Sequence, residues 1–455
     1  MKTMCNWFFW GFLALACLSH SELALAEFSQ CAWPIELSPE GYGNVVAPDD
    51  QARYWLMPFD KNYRTMRIEG SYPNARYFSF VVYSGKEKGE PVSVAGHKYD
   101  DILTPDAGNA STYTLCVARG NAKCPKGVPN TITHVDTNPA WVALRIYVPS
   151  ADKTLSGQAL MGGHPLPKIT LNESQTLETC PLTKEAPKPN PPPPTWPYYY
   201  VKSVNKLNDL RAFLDLVFPP KLDIYTPSDY YERASNPLWF AAPKEPPILL
   251  LPNPDNKYIA MQPGPYQRGR IIVIHGKAPS FPDTYYGSPK SSGRSRNPDV
   301  RYWSVCNNDL ALPVPAVRCM DDQAAVTQGG YYTVVISDDL LRPNWLKPDV
   351  NWLPWGDEQY PKLVFFRNLI PKVGEENKPV PFKFAIQNVV VGCPSNCAHP
   401  DAVIDFNLPY VPPRAAFNAV GRNVQAIMGH YYPVAVWCDK STFEHGGWQA
   451  CIKRQ

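Results

Sequence analysis

The chain writes one phrase twice, and that repeat constrains its fold more than any other feature. Residues 68–79 read I-E-G-S-Y-P-N-A-R-Y-F-S, while residues 274–279 read I-H-G-K-A-P and R-Y-W-S follows at 301–304. The shared skeleton is Ile-x-Gly-x-x-Pro, then Arg-Tyr-aromatic-Ser. Two half-chains built on one plan predict a duplicated domain. Tyr113-Thr114-Leu115 recurs as Tyr332-Thr333-Val334, and Leu144 to Pro149 matches Val364 to Pro371 less closely, with two extra residues. The second copy departs most from about Ser280 to Pro298, a stretch rich in Gly, Ser, Arg and Tyr that reads as an exposed loop.

Period and punctuation say what each copy folds into. Met66 and Ile68 alternate with Thr65, Arg67 and Glu69, the two-residue period of a half-buried strand. Tyr77 to Tyr83 is a nearly continuous run of β-formers, which predicts a strand covered on both faces. Tyr54–Met57, Tyr113–Val117 and Trp141–Val148 complete the first set. In the second copy strands are expected at Pro247–Leu251, Tyr258–Met261, Arg270–His275, Val300–Cys306, Tyr331–Ser337 and Lys362–Asn368. Proline is excluded from helix interiors and central strands, so 51 prolines in 455 residues imply many turns. Short strands between turns predict an all-β fold of two sandwich or jelly-roll domains.

The N-terminus, 1–26, reads as an export signal, with Lys2, an apolar stretch from Trp7 to Leu18 and a small-x-small site at Ala24-Leu25-Ala26. The alternative is lipid attachment at Cys17. The first domain then spans 27–183, and 184–197 is a proline-rich spacer, stiff and extended. The second domain, 198–378, opens with a helix: Val204, Leu207, Leu210, Phe213, Leu214 and Val217 share one face, Ser203 caps it and Pro219-Pro220 stop it. Residues 379–455 form a cysteine-rich C-terminal extension with no first-half counterpart. No stretch after the signal is long and apolar enough to anchor in a membrane.

Twelve cysteines fall to ten without Cys5 and Cys17, an even number that in an exported chain reads as disulfides. Spacing favours the local pairs Cys116–Cys124, Cys306–Cys319, Cys393–Cys397 and Cys438–Cys451, leaving Cys31 and Cys180 to join the ends of the first domain. The net charge of +3 is too near neutral to argue for nucleic acid or an anionic membrane.

With these residues in view, the pieces F-P-D-T (281–284), R-Y-W-S-V-C (301–306), Y-T-V-V-I-S (332–337), N-W-L-P-W-G (351–356) and M-G-H-Y-Y-P (428–433) resemble an uncharacterised family of exported bacterial proteins with duplicated jelly-roll-like halves. The first half, with Arg76 to Tyr83, D-I-L-T-P-D-A-G (101–108) and the Leu144 to Pro149 strand, is similar to a bacterial domain of unknown function, the family numbered 1214. The resemblance implies a jelly-roll-like fold and export. It implies no activity.

Standard reaction motifs are absent: there is no His-Glu-x-x-His, no Gly-x-Ser-x-Gly, no phosphate-binding Gly-x-x-x-x-Gly-Lys loop and no Cys-x-x-Cys. No cofactor or metal is expected. Cys393, Cys397 and His399 have ligand chemistry, but in an oxidising compartment the two thiols read as a disulfide. His97 with Asp100 and Asp101 offers a metal site or a polar turn. His275 occupies the phrase position of Glu69, so both copies put a polar side chain there, facing solvent or a pocket.

The candidate ligand residues are aromatic and basic. Arg76 and Arg301 each precede an aromatic pair on a core strand, so each either lies along apolar surface or enters a cleft and binds an anion. Trp303 belongs to the same strand. Trp352, Trp355 and Asp357 crowd one loop, with Trp345 nearby; their rings either face a ligand or cap the core. Asp283 makes a turn or joins Arg301 in a polar site. The leading expectation is a non-catalytic binding or structural protein of the envelope or extracellular space, holding carbohydrate or an amphipathic small molecule near the 350s loop or between the halves. A hydrolase of envelope or exogenous polymers, using Asp283 or Asp357, is the alternative. A subunit of an envelope assembly is the third.

Overall fold

The computed structural model describes residues 31–39, 43–84, 93–135, 140–149, 161–180, 238, 240, 251–282, 284, 298–310, 314–360, 362–371 and 428–453. The signal segment, the spacer, the expected helix at 203–217, the strand expected at 247–250, Asp283, and Cys393, Cys397 and His399 lie outside them.

The first copy is a sandwich of two sheets. One has the order β1 (Ile35–Leu37), β2 (Ala52–Phe59), β8 (Ala140–Pro149), β4 (Ala75–Ser84), β5 (Ser93–Tyr99). The other runs β10 (Gln175–Leu177), β9 (Lys168–Leu171), β3 (Thr65–Ser71), β6 (Thr112–Arg119), β7 (Asn130–Val135). The second copy repeats it. Its first sheet is β11 (Asn256–Met261), β18 (Lys362–Pro371), β13 (Val300–Asp309), β14 (Ala316–Asp321). Its second is β15 (Thr327–Gln328), β16 (Tyr331–Ser337), β12 (Arg270–Lys277), β19 (Val434–Asp439), with β17 (Asn351–Pro354) parallel to β16 as β7 is to β6.

The ladders show which residues correspond. Tyr77 lies opposite Tyr147 and Tyr302 opposite Leu369; Ala75 meets Pro149 and Val300 meets Pro371. The strand ending at Pro149 therefore matches the strand ending at Pro371 without a gap, correcting the two extra residues of the sequence alignment. Side-chain identity drifted there while the hydrogen-bonded register held. A second correction concerns the C-terminus: β19 pairs with β12 as β9 pairs with β3, so part of the extension has a first-half counterpart and completes a sheet.

The phrase itself now has physical causes. Gly70 and Gly276 lie under tyrosine hydroxyls: a Cβ would stand 2.6 Å from Tyr113 Oη in one copy and 2.9 Å from Tyr332 Oη in the other. The Arg-Tyr pairs build the junction between copies. Phe78, Phe80 and Val82 point into the first core against Ile68 and Leu115, whereas Tyr77, Val81 and Tyr83 point out of it. Every residue of β4 and β13 is buried, because the outer faces of the two first sheets pack on each other.

That junction is reciprocal, in the manner of a two-fold dimer. Arg76 is ion-paired with Asp322 of the other copy, and Arg301 with Asp100 and Asp101. Asp100 and Asp322 are equivalent, since their N–H groups donate to the carbonyls of Phe78 and Trp303. Tyr77 donates to Asp255 at 2.7 Å, and Tyr302 donates to Asp49 at 2.6 Å. Cys31–Cys180, Cys116–Cys124, Cys306–Cys319 and Cys438–Cys451 are disulfide-bonded.

Candidate functional site

A cleft of about 640 Å³ lies on the outer face of the second copy's β12–β16 sheet. Its floor is β12 and β16. One wall is the 345–350 loop, and the other is a helical segment, α1 (Lys440–Lys453), together with the turn at Gly429–Tyr431.

Two local devices place that second wall. The Cys438–Cys451 bond ties α1 back to β19. Gly447, at φ 63° and ψ −163°, breaks the helix where a side chain would be strained, and Trp448 follows it. Trp448 stacks on the His275 imidazole at 3.7 Å between centroids and 12° between planes, with Tyr331 parallel on that imidazole at 5.5 Å. His275 Nδ1 lies 3.0 Å from Thr333 Oγ1. Burial holds this imidazole below the usual histidine range, so at pH 7 it is a neutral aromatic surface.

Polar groups ring this aromatic floor. Asp349 accepts a hydrogen bond from the Gln328 amide, and Lys347, Glu444 and Gln449 stand at the rim with His430. Trp345 closes the loop side, edge-on to Phe443 and under the Lys440 ammonium at 4.6 Å. Such a site can bind by ring contact and hydroxyl recognition.

Of the residues singled out in the sequence, His275 lines this cleft. Arg76 and Arg301 are buried at the junction, each against carboxylates of the other copy, so neither guanidinium is open to a ligand. Trp303 and Trp355 are core side chains; Trp303 Nε1 donates to the Pro279 carbonyl at 2.9 Å. Trp352 packs half-buried beside the core and donates to Ser337 Oγ at 2.9 Å. Asp357 makes a turn by accepting the Gln359 N–H at 2.9 Å, and its carbonyl receives the buried Lys362 ammonium.

The cluster suggested by His97, Asp100 and Asp101 does not form. The aspartates hold Arg301, while His97 Nε2 lies 3.2 Å from Asp255. Asp49, Cys306 and Cys319 do converge, but the cysteines are bonded to each other and Asp49 is taken by Arg367, Tyr302 and Ser304.

Sequence reasoning missed Trp448, Tyr331, Asp349 and Glu444. Trp448 follows Gly446-Gly447 near the C-terminus, where nothing in the sequence connects it to a strand more than 170 residues earlier. The available signal was the repeat: Glu69 in one copy has become His275 in the other.

No family model matches this chain, and no curated protein matches it. Among solved structures it is similar to an uncharacterised protein from Burkholderia cenocepacia, with 16% identity and a TM-score of 0.47, covering 76% of this chain and 81% of that one. It is also similar to the VPA0106 protein from Vibrio parahaemolyticus, with 14% identity and a TM-score of 0.37, covering 74% and 87% of the two chains. At these scores the likeness bears on neither ligand nor activity.

Proposed function

We propose that this protein is an exported, non-catalytic binding protein whose cleft on the second sandwich takes a carbohydrate or a similarly amphipathic small molecule. The observation that carries the reading is the aromatic floor of Tyr331, His275 and Trp448 beneath a polar rim. Ring faces suit the C–H surface of a sugar, and Asp349, Glu444 and Gln449 suit its hydroxyls. The volume falls within the ~300–1,000 Å³ of ordinary ligand sites. Four disulfides among the described residues fit an oxidising compartment.

Two carboxylates, Asp349 and Glu444, share this cleft, which keeps hydrolysis of a bound polymer as the second reading. The assembly-subunit reading has less support: among the described residues the exposed large apolar side chains are Ile102, Val326, Leu340 and Leu341, short of a broad patch there.

The test is titration of soluble oligosaccharides against the intrinsic tryptophan fluorescence of the wild type, Trp448→Ala and His275→Ala. Saturable binding weakened at least tenfold in both variants, with unchanged melting, is the expected result. Equal binding in folded variants refutes the site. Release of reducing ends, abolished by Asp349→Asn or Glu444→Gln, would move the reading to hydrolysis.

A further inference from the structure

The reciprocity of the junction fails at one pair of equivalent buried arginines. Arg145 in β8 and Arg367 in β18 are equivalent, each lying opposite the serine of its Arg-Tyr-aromatic-Ser phrase. Arg367 donates to the Asp49 carboxylate at 2.6 Å. The residue equivalent to Asp49 is Asn253. Each accepts the N–H two residues on with its side-chain oxygen, from Gln51 at 3.0 Å and Asp255 at 3.2 Å, and each carbonyl receives the N–H three residues on. Arg145 therefore has an amide where Arg367 has a carboxylate.

Arg145 is 2% exposed. Its Nη2 donates to Tyr83 Oη and to the Leu251 carbonyl at 2.8 Å, while Nη1 has no hydrogen-bond partner among the described residues. None of these partners is an anion, since burial holds the Tyr83 hydroxyl up at about 12 and the Tyr54 hydroxyl beside it likewise. The nearby Asp255 is already engaged by Tyr77 at 2.7 Å and His97 at 3.2 Å. An arginine does not shed its proton, and a buried charge without a counter-ion is costly.

Arg145, Asn253 and Arg367 line a cavity of about 50 Å³ between the two sandwiches, whose other walls include Tyr54, Leu56, Leu251 and Phe365. One water needs roughly 10–15 Å³ on this measure, so the space suits a molecule of a few heavy atoms. Because Asp49 already meets the Arg367 charge, one guanidinium is left to select a single negative charge, and the aliphatic walls take a short apolar tail.

We propose that this junction cavity binds a small organic monocarboxylate, of about the size of acetate, which supplies to Arg145 the charge that Asp49 supplies to Arg367. The site is separate from the cleft on the second sandwich.

The experiment uses the full chain with its disulfides intact, in chloride-free buffer at constant ionic strength. Thermal melting is followed against sodium acetate, acetamide and sodium nitrate. Acetate should raise the midpoint saturably by a few degrees, whereas acetamide should not. Asn253→Asp installs the missing carboxylate and should melt higher than wild type with no response to acetate. Arg145→Met should be equally unresponsive, and if it does not fold, Asn253→Asp decides alone. A wild type indifferent to acetate, or an undiminished response in Asn253→Asp, overturns the proposal. Nitrate acting as strongly as acetate overturns the organic assignment and leaves the cavity to inorganic anions.

Discussion

Asp49 is the residue on which the junction depends most. It belongs to the first sandwich, yet its carboxylate receives Arg367 at 2.6 Å, Tyr302 at 2.6 Å and Ser304 at 2.7 Å from the second. All four side chains are buried. Replacing Asp49 with alanine strands the Arg367 charge, and breaking one side of a buried pair costs roughly 3–5 kcal/mol. The two orphaned hydroxyls add about 1 kcal/mol or more each, and partial relaxation makes the sum sub-additive. A loss of about 4–6 kcal/mol is expected in urea unfolding. In the Asp49→Ala background, Arg367→Met removes the stranded charge and should restore about 2 kcal/mol or more. Hydrogen exchange should place the loss in β13 and β18 rather than in β12 and β16. A loss under about 1 kcal/mol, or additivity of the two substitutions within about 0.5 kcal/mol, would show that the carboxylate is not what joins the copies.

Three further outcomes follow from the same geometry. Gly276→Ala places a Cβ 2.9 Å from Tyr332 Oη and should cost about 1–3 kcal/mol by denaturation; adding Tyr332→Phe should recover most of it, because that hydroxyl has no partner among the described residues. Asp321 is raised to about 6 by burial, and next by the Asp49 charge. The folded state thus keeps a proton that the unfolded state loses near pH 4, so this contribution to stability falls as pH rises from about 4 to 6 and is flat above. Two pH units correspond to roughly 3 kcal/mol, and Asp321→Asn should flatten that part of the stability–pH curve. Gly447→Ala forces a left-handed backbone onto a residue with a Cβ; it should lower the melting temperature and weaken ligand binding in the cleft together, read by calorimetry and fluorescence titration.

The duplication, the sandwich class and the central strands were legible because they rest on local patterns. The Tyr77 to Tyr83 run reads as doubly covered, and β4 is buried along its whole length. The edges were not legible. β7 and β17 pair in parallel and lie next to β6 and β16 through long-range contacts that leave no period in sequence. β19 lies beyond a long separation from its partner β12. The aromatic loop was left open between ligand and core for a related reason: Trp355 and Trp352 look alike in sequence, and the structure puts Trp355 in the core with Leu353, two residues before it, while Trp352 packs on the other side. A lone charge before an aromatic pair likewise could not show that its counter-ion sits in the other copy.

The two copies are alike where they touch and in their cores, and unlike at a few places. On the outer face of β3, Glu69 sits with Arg67 at 3.2 Å in a partly exposed ion pair, of little energetic weight. The same position in β12 is His275, half-buried and stacked by Trp448 within a walled cleft. At the junction, Asp49 neutralises one arginine, and Asn253 leaves its equivalent with no carboxylate partner among the described residues, beside a cavity. Packing alone explains neither change, because the first copy fills both positions with satisfied, inert partners. A duplicated fold thus supplies its own control: a residue held in both copies answers to the fold, as Gly70 and Gly276 do, and one changed in charge or ring chemistry marks a position to test for a ligand. By that criterion the cleft at His275 and the cavity at Arg145 are the places, among the described residues, where ligand binding is proposed and is to be tested.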